Sequence, residues 1–209
     1  MATSGNRQSE MTIDLGGVQR DLERIEATEA LSEPFIIDVS MIASHGEFDL
    51  LPHLGKPVGL TVREDDVHAR YFHGILVGGK SLRESSSGLH YRLRLAPWTY
   101  QLDQNNQFAI YQEKSADEII RKVFDDAGIA DYRFETSRNY RKRVYCVQYG
   151  ESDFAFVSRL MEEEGIYYFF EHKADKHVMV LCDSPRAHKP GNPTALTWRP
   201  TATQIARAG

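Results

Sequence analysis

Apolar and polar positions alternate through the first half of the chain. In "PFIIDVSMI", Phe35, Ile37, Val39 and Met41 share one face, and in "PVGLTV", Val58, Leu60 and Val62 do the same. "VHARYFHGILV" runs into the polar "GGKSLRESSSG", which reads as a turn region. "LHYRLRL" then returns with Leu89, Tyr91, Leu93 and Leu95 inward and His90, Arg92 and Arg94 outward. This is the pattern of a long hairpin with one buried face. Between two strands, Pro52 and Gly55 punctuate "HGEFDLLPHLGK" as a short helix or turn. Several such strands with short connections predict a small barrel or curled sheet.

The period changes near residue 111. "SADEIIRKVFDDAG" predicts a helix with both ends marked: Ser115 and Glu118 make a capping box, and Gly128 is the stop. Ile119, Ile120, Val123, Phe124 and Ala127 form its apolar stripe. A basic loop, "SRNYRKR", precedes a strand, "VYCVQY". "SDFAFVSRLMEEEG" predicts a second helix, capped by Ser152, with Asp153 in its positive first turn and Gly165 at its end. Phe154, Val157, Leu160 and Met161 recur at three and four residues and bury one face. "IYYFFEH" is apolar on both sides, with Ile166, Tyr168 and Phe170 on one and Tyr167 and Phe169 on the other. It predicts a strand buried on both faces or part of an interface. "KADK" is a turn and "HVMVLCD" the returning strand. The expected fold is α+β and mostly β: a barrel-like domain over residues 1–110, then a mixed α/β unit over 111–209 whose core holds Phe154, Val157, Leu160, Tyr168 and Phe170. From residue 184 the chain is rich in Pro, Ala and Thr, which reads as loosely ordered or as part of a unit whose remainder is missing.

Composition narrows the function classes. The 209 residues suffice for one large domain or two small ones with a real core. A hydrophobic fraction of 41% and an aromatic fraction of 11% belong to a folded chain. The net charge of -5 argues against a nucleic-acid binder. No apolar run reaches about 18 residues, so no membrane span is expected. The opening "MATSGNRQSEMTIDLGG" lacks the pattern of a secretory signal. Cys146 and Cys182, far apart and outside any CxxC, read as buried free thiols of a cytoplasmic fold, with a lone disulfide as the alternative.

Candidate chemistry is thin. Ser152 has a structural task as a cap, and Ser158 lies mid-helix with no histidine at a suitable spacing. A nucleophile elbow would read GxSxG, where this chain has "YGESDF". Glu162, Glu163 and Glu164 sit in the last turn of a helix, where the dipole disfavours negative charge. Successive helix positions project about 100° apart, so the three cannot converge on one small ligand. They read either as a solvated helix end or as partners for Arg141, Lys142 or Arg143, in the same domain or on a neighbouring chain. His172 and His177 flank a hairpin turn and could face each other, but no third ligand is evident. His45, His53, His68, His73, His90 and His188 are scattered. The chain carries no HExxH, Walker loop or dinucleotide fingerprint. The residues point to a scaffold without catalytic, cofactor or metal sites.

One segment carries a resemblance. "YCVQYGESDFAFVSRLMEEEGIYYFFEH", followed by "HVMVLCD", resembles the signature of the VgrG family, the spike proteins of bacterial type VI secretion. It matches that pattern at Gln148, Tyr149, Glu151, Asp153, Phe156, Arg159, Leu160, Glu162, Glu163, Gly165, Ile166, Tyr168 and Phe170. Further matches run upstream in order, through "EALSEPFIIDVSMIA", "LLPHLGKPVGLTV", "YFHGILVGG", "YRLRLAPWTYQLDQNNQFAIYQEKSADEII" and "DDAGI", so that the resemblance spans residues 12–185.

The resemblance implies a phage tail-hub-like region, which in full-length members is a homotrimer seated on the hexameric Hcp tube. It implies a structural role in docking and in passing contraction force to a needle, with secreted effectors as further partners. It also implies assembly in the bacterial cytoplasm before export by the machine. The second barrel, the oligosaccharide-binding-fold domain and the β-helix of such proteins are expected to be absent from residues 1–209, leaving a monomer or weak associate. A contractile-phage tail hub is the alternative of the same class, and an enzyme fragment the alternative of another.

Overall fold

The computed structural model describes residues 10–43, 48–63, 69–86 and 88–188. His45, His68 and the tail beyond 188 lie outside these residues. Six strands come first: β1 (Glu10–Asp14), β2 (Gln19–Ala30), β3 (Glu33–Ala43), β4 (Pro57–Arg63), β5 (Ala69–Ser85) and β6 (Gly88–Ala96). They close into a barrel in the order β1-β2-β3-β6-β5-β4, every neighbouring pair antiparallel. The alternation explains why. Phe35, Ile37, Val39 and Met41 of β3 are buried, as are Val58 and Leu60 of β4 and Tyr91, Leu93 and Leu95 of β6. Each such side chain contributes roughly 1.5–3 kcal/mol by leaving water. A short 3-10 turn, Leu51–His53, sits where Pro52 and Gly55 mark it.

Two local expectations differ in the barrel. The polar stretch "GGKSLRES" is strand, and the reversal comes only after Ser85. Gly79 serves close packing: a Cβ there would stand 2.8 Å from Leu93 and 2.9 Å from Leu50. His90, on the outer side of β6, is nonetheless buried, because Ser85 Oγ lies 2.9 Å from its Nε2 and Glu23 3.1 Å from its Nδ1.

After Ala96 come α1 (Thr99–Leu102), β7 (Gln107–Lys114), α2 (Ala116–Asp126), β8 (Tyr132–Glu135), β9 (Arg143–Glu151), α3 (Asp153–Glu164), β10 (Tyr167–His172) and β11 (His177–Cys182). The α+β, mostly β fold is the one expected. Residue 110 lies within β7, which pairs with β9. β10 and β11 form the antiparallel hairpin, and β8 adds to β11 in parallel.

Ser115 and Glu118 form the capping box of α2. Ser152 caps α3, which ends at Gly165 with φ of 65°. Ile119, Ile120, Val123 and Phe124 of α2 meet Phe156, Val157, Leu160 and Met161 of α3 in one core. Ala127, expected in the stripe, is exposed because α2 has already ended at Asp126. Phe156 takes the fully buried place expected for Phe154, which is half-buried and packs at the core's edge. A helical step of two residues rotates a side chain by about 200°, so the two phenylalanines face different ways. Tyr168 is buried, and Phe170 is half-buried. Cys146 and Cys182 are buried free thiols, both pushed up by burial.

Candidate functional site

The acidic turn is an ion-pair cluster. Arg143, at the start of β9, donates from Nη1 to Glu163 (2.5 Å) and from Nη2 to Glu164 (2.7 Å). Arg159 reaches Glu151 at 2.7 Å and Glu163 at 3.4 Å. Arg138 Nη2 donates to the carbonyls of Glu164 (2.6 Å) and Gly165 (3.2 Å). Three guanidinium groups thus stand at the negative end of α3 and offset the charge that the dipole disfavours there. The Arg143 hydrogen bond holds the Glu163 carboxyl below the usual carboxylate range. Glu162, Arg141 and Lys142 are exposed, and no salt bridge joins them among the described residues.

Ser152 is occupied as well. Its hydroxyl donates to Asp103 at 2.7 Å and accepts the Ala155 N–H at 3.1 Å. Nearby, Asp183 clamps the loop before β9. Burial would raise this carboxyl, but the Ser137 and Arg138 N–H groups and the Tyr140 hydroxyl outweigh burial and hold it at about 2. Tyr140, half-buried and donating to Asp183, is pushed up to about 12, first by its partial burial and then by that hydrogen bond.

The unforeseen site is the joint between barrel and α/β unit. The β10–β11 hairpin lies against the barrel. The Ser32 N–H, in the β2–β3 turn, donates to the Tyr168 carbonyl at 2.8 Å. Gly59 of β4 lies directly beneath the hairpin turn, where an added Cβ would stand 2.8 Å from the Ala174 carbonyl oxygen. Phe170 packs against both hydrophobic cores.

Three histidines line this seam. The Trp98 N–H donates to His177 Nε2 at 3.0 Å, so that nitrogen carries no proton. The proton of the neutral ring is therefore on Nδ1, which donates to His73 Nδ1 at 2.9 Å, and His73 keeps its own proton on Nε2. Burial, then the neighbouring His73 and His172, push His177 down to about 3. His73 is lowered chiefly by burial. His172 accepts the His73 N–H on Nδ1 at 3.0 Å and meets Glu29 through Nε2 at 3.1 Å. That hydrogen bond holds the Glu29 carboxyl low.

The facing of His172 and His177 follows from the hairpin register, which pairs them. His73 arrives from β5, 104 residues before His177, and no local pattern signals it. Among the described residues no group of three or more His, Cys, Asp or Glu side chains is arranged to hold a metal ion.

Residues 28–208 match the family profile described as phage tail baseplate hub (GPD). The chain belongs to that hub family. It is 37% identical over 187 residues to the type VI secretion system spike protein VgrG1b of Pseudomonas aeruginosa, an alignment covering 89% of this chain and 25% of that protein. It is 36% identical over 180 residues to VgrG1a of the same organism, covering 86% and 28%. The hub sequence thus spans about a quarter of the length of these curated relatives. Among solved structures, the E. coli c3393 protein superposes with a TM-score of 0.73 at 27% identity, over 85% of this chain and 50% of that one. That protein is described as a type VI secretion component with structural similarity to T4 bacteriophage tail proteins gp27 and gp5. A 43 kDa prophage tail protein from Shewanella oneidensis shares the hub fold, with a TM-score of 0.54 at 13% identity over 82% and 52%. The VgrG resemblance carried by residues 145–172 is shown, and the relatives of this hub chain are structural spike and tail proteins.

Proposed function

We propose that this chain is the hub portion of a type VI secretion spike, seated on the Hcp tube, and that it passes contraction force from barrel to α/β unit through the hairpin joint. The carrying observation is Phe170, one side chain packed into the cores of both units. A load crossing that seam meets packed rings, a backbone hydrogen bond and a histidine chain. Identities of 36–37% to secretion spikes favour secretion over a phage particle. We further propose that the full-length spike trimerises, carries effectors, and is assembled in the cytoplasm before export. Ser152 as a bonded cap and Glu163 and Glu164 as ion-pair partners favour a structural role over an enzymatic one.

The test uses the full-length spike in a contraction-competent cell. Phe170→Ala should leave the spike assembled on the tube while export of the tube protein falls. Normal export with a demonstrably loosened joint would exclude force transmission through this seam. Failure of the wild-type chain and spike to bind Hcp tubes in co-sedimentation would exclude the docking.

A further inference from the structure

We propose that the joint between barrel and α/β unit is acid-labile: protonation of the His73–His177 pair sets donor against donor and frees β11 from both the barrel and Trp98. The hydrogen-bond chain requires it. His177 Nε2 accepts from the Trp98 N–H, and His73 Nδ1 accepts from His177 Nδ1. A proton added to His73 Nδ1 would face the His177 N–H across 2.9 Å. A proton added to His177 Nε2 would face the Trp98 N–H across 3.0 Å. Neither cation has an acceptor in reach without breaking a bond that holds the two units together.

The surroundings do not rescue the charge. His177 is 3% exposed and His73 7% exposed. The Phe35 ring lies 5.3 Å from the His177 ring, and the Phe170 ring 5.8 Å. The charges that act on His73 are those of His172 on β10, which opposes a cation there, and of Asp175 and Asp131, which favour one. Asp131 is already paired with Lys176 at 2.9 Å. Glu29, reached by Arg70 at 3.4 Å, is engaged with His172.

His172 differs from the other two. The His73 carbonyl lies 3.1 Å from its Nδ1 and Glu29 lies 3.1 Å from its Nε2, so each ring nitrogen has an oxygen acceptor beside it. The device is therefore the His73–His177 pair, whose shared nitrogens have no such oxygen acceptor.

The sign follows from linkage. Both histidines of the pair are lowered in the closed joint, so the open joint binds more protons. Closure is complete above the ordinary histidine value and is lost progressively as pH falls below it. Glu29 is held low, so it stays ionised through this window.

The experiment is amide hydrogen exchange on the wild-type chain between pH 7.5 and 5, corrected for intrinsic rates. The Trp98 and Ser32 amides report the joint, and Val39 and Leu93, paired inside the barrel, report global stability. Below roughly pH 6 joint protection should fall by up to about tenfold per pH unit where one histidine of the pair binds a proton on opening, and by up to about a hundredfold where both do, while barrel protection holds. His177→Gln, which leaves only His73 of the pair to titrate, should weaken the dependence. Nitrogen chemical shifts of the imidazoles should show His177 protonated on Nδ1 at neutral pH. Joint protection that follows the barrel at every pH, an unchanged acid response in His177→Gln, or a proton on His177 Nε2 would each overturn the proposal. Loss of Hcp binding with the acid response intact would instead fail the hub reading.

Discussion

Phe35 and Phe170 meet edge to face across the seam between the two units, ring centroids 5.1 Å apart at 88°. Phe35 belongs to the barrel core, and Phe170 packs against both cores. Edge-to-face pairs add about 0.5–1.5 kcal/mol to the burial of their surfaces. Phe170→Ala should therefore lower stability by about 2–4 kcal/mol and split the urea transition into two, as the units lose their coupling. A single transition with an unchanged midpoint would show that the units are coupled elsewhere.

Gly59 carries the hairpin turn. With a Cβ 2.8 Å from the Ala174 carbonyl oxygen, Gly59→Ala must push the turn away from β4. The expected cost is about 1–3 kcal/mol, with faster exchange at the Ser32 amide. Wild-type exchange and an unshifted melt would mean that the turn yields without loss.

Leu160 is fully buried between α2 and the sheet. Leu160→Asp removes that contact and strands a charge, so stability should drop by several kcal/mol. Thermal melts of the variant and the parent decide this, and equal midpoints would contradict the placement.

The acidic turn should respond residue by residue. Glu162→Gln removes an exposed charge from a helix end that disfavours it, a gain of a few tenths of a kcal/mol. Glu164→Gln loses its Arg143 partner and should cost about 0.5–1 kcal/mol, less at high salt. The Glu163 carboxyl is lowered in the fold, so its contribution is present above its unfolded value and is lost as pH falls through the folded one. Urea titrations at pH 7 and pH 3.5 measure all three. A gain from Glu164→Gln would mean that the dipole outweighs the ion pair.

Phe108, Ile110, Val144, Tyr145 and Tyr149 are exposed on the β7–β9 ribbon. Such an apolar face should make the 209-residue chain a weak, concentration-dependent associate. Light scattering across a dilution series should show a monomer at low micromolar concentration and growth above it. Phe108→Lys with Tyr149→Lys should suppress that growth. A stable trimer at low micromolar concentration would show that these residues contain a trimerising surface of their own.

What the sequence determined by itself was local. Alternation in "PFIIDVSMI" and "LHYRLRL" set the faces of β3 and β6, because a strand side chain has only two sides to choose from. Ser115, Glu118, Ser152 and Gly165 set helix ends, because capping is decided within a few residues. The signature at 145–172 set the family. The tertiary structure alone decided which cation meets Glu163 and Glu164, that Phe156 and not Phe154 fills the core, and that β7 belongs with β9. It also decided that His73 joins His177 and His172, and that Phe35 meets Phe170. These contacts depend on how a closed barrel and a later hairpin are placed against each other. Residues about a hundred positions apart leave no periodicity for such a pairing to be read from.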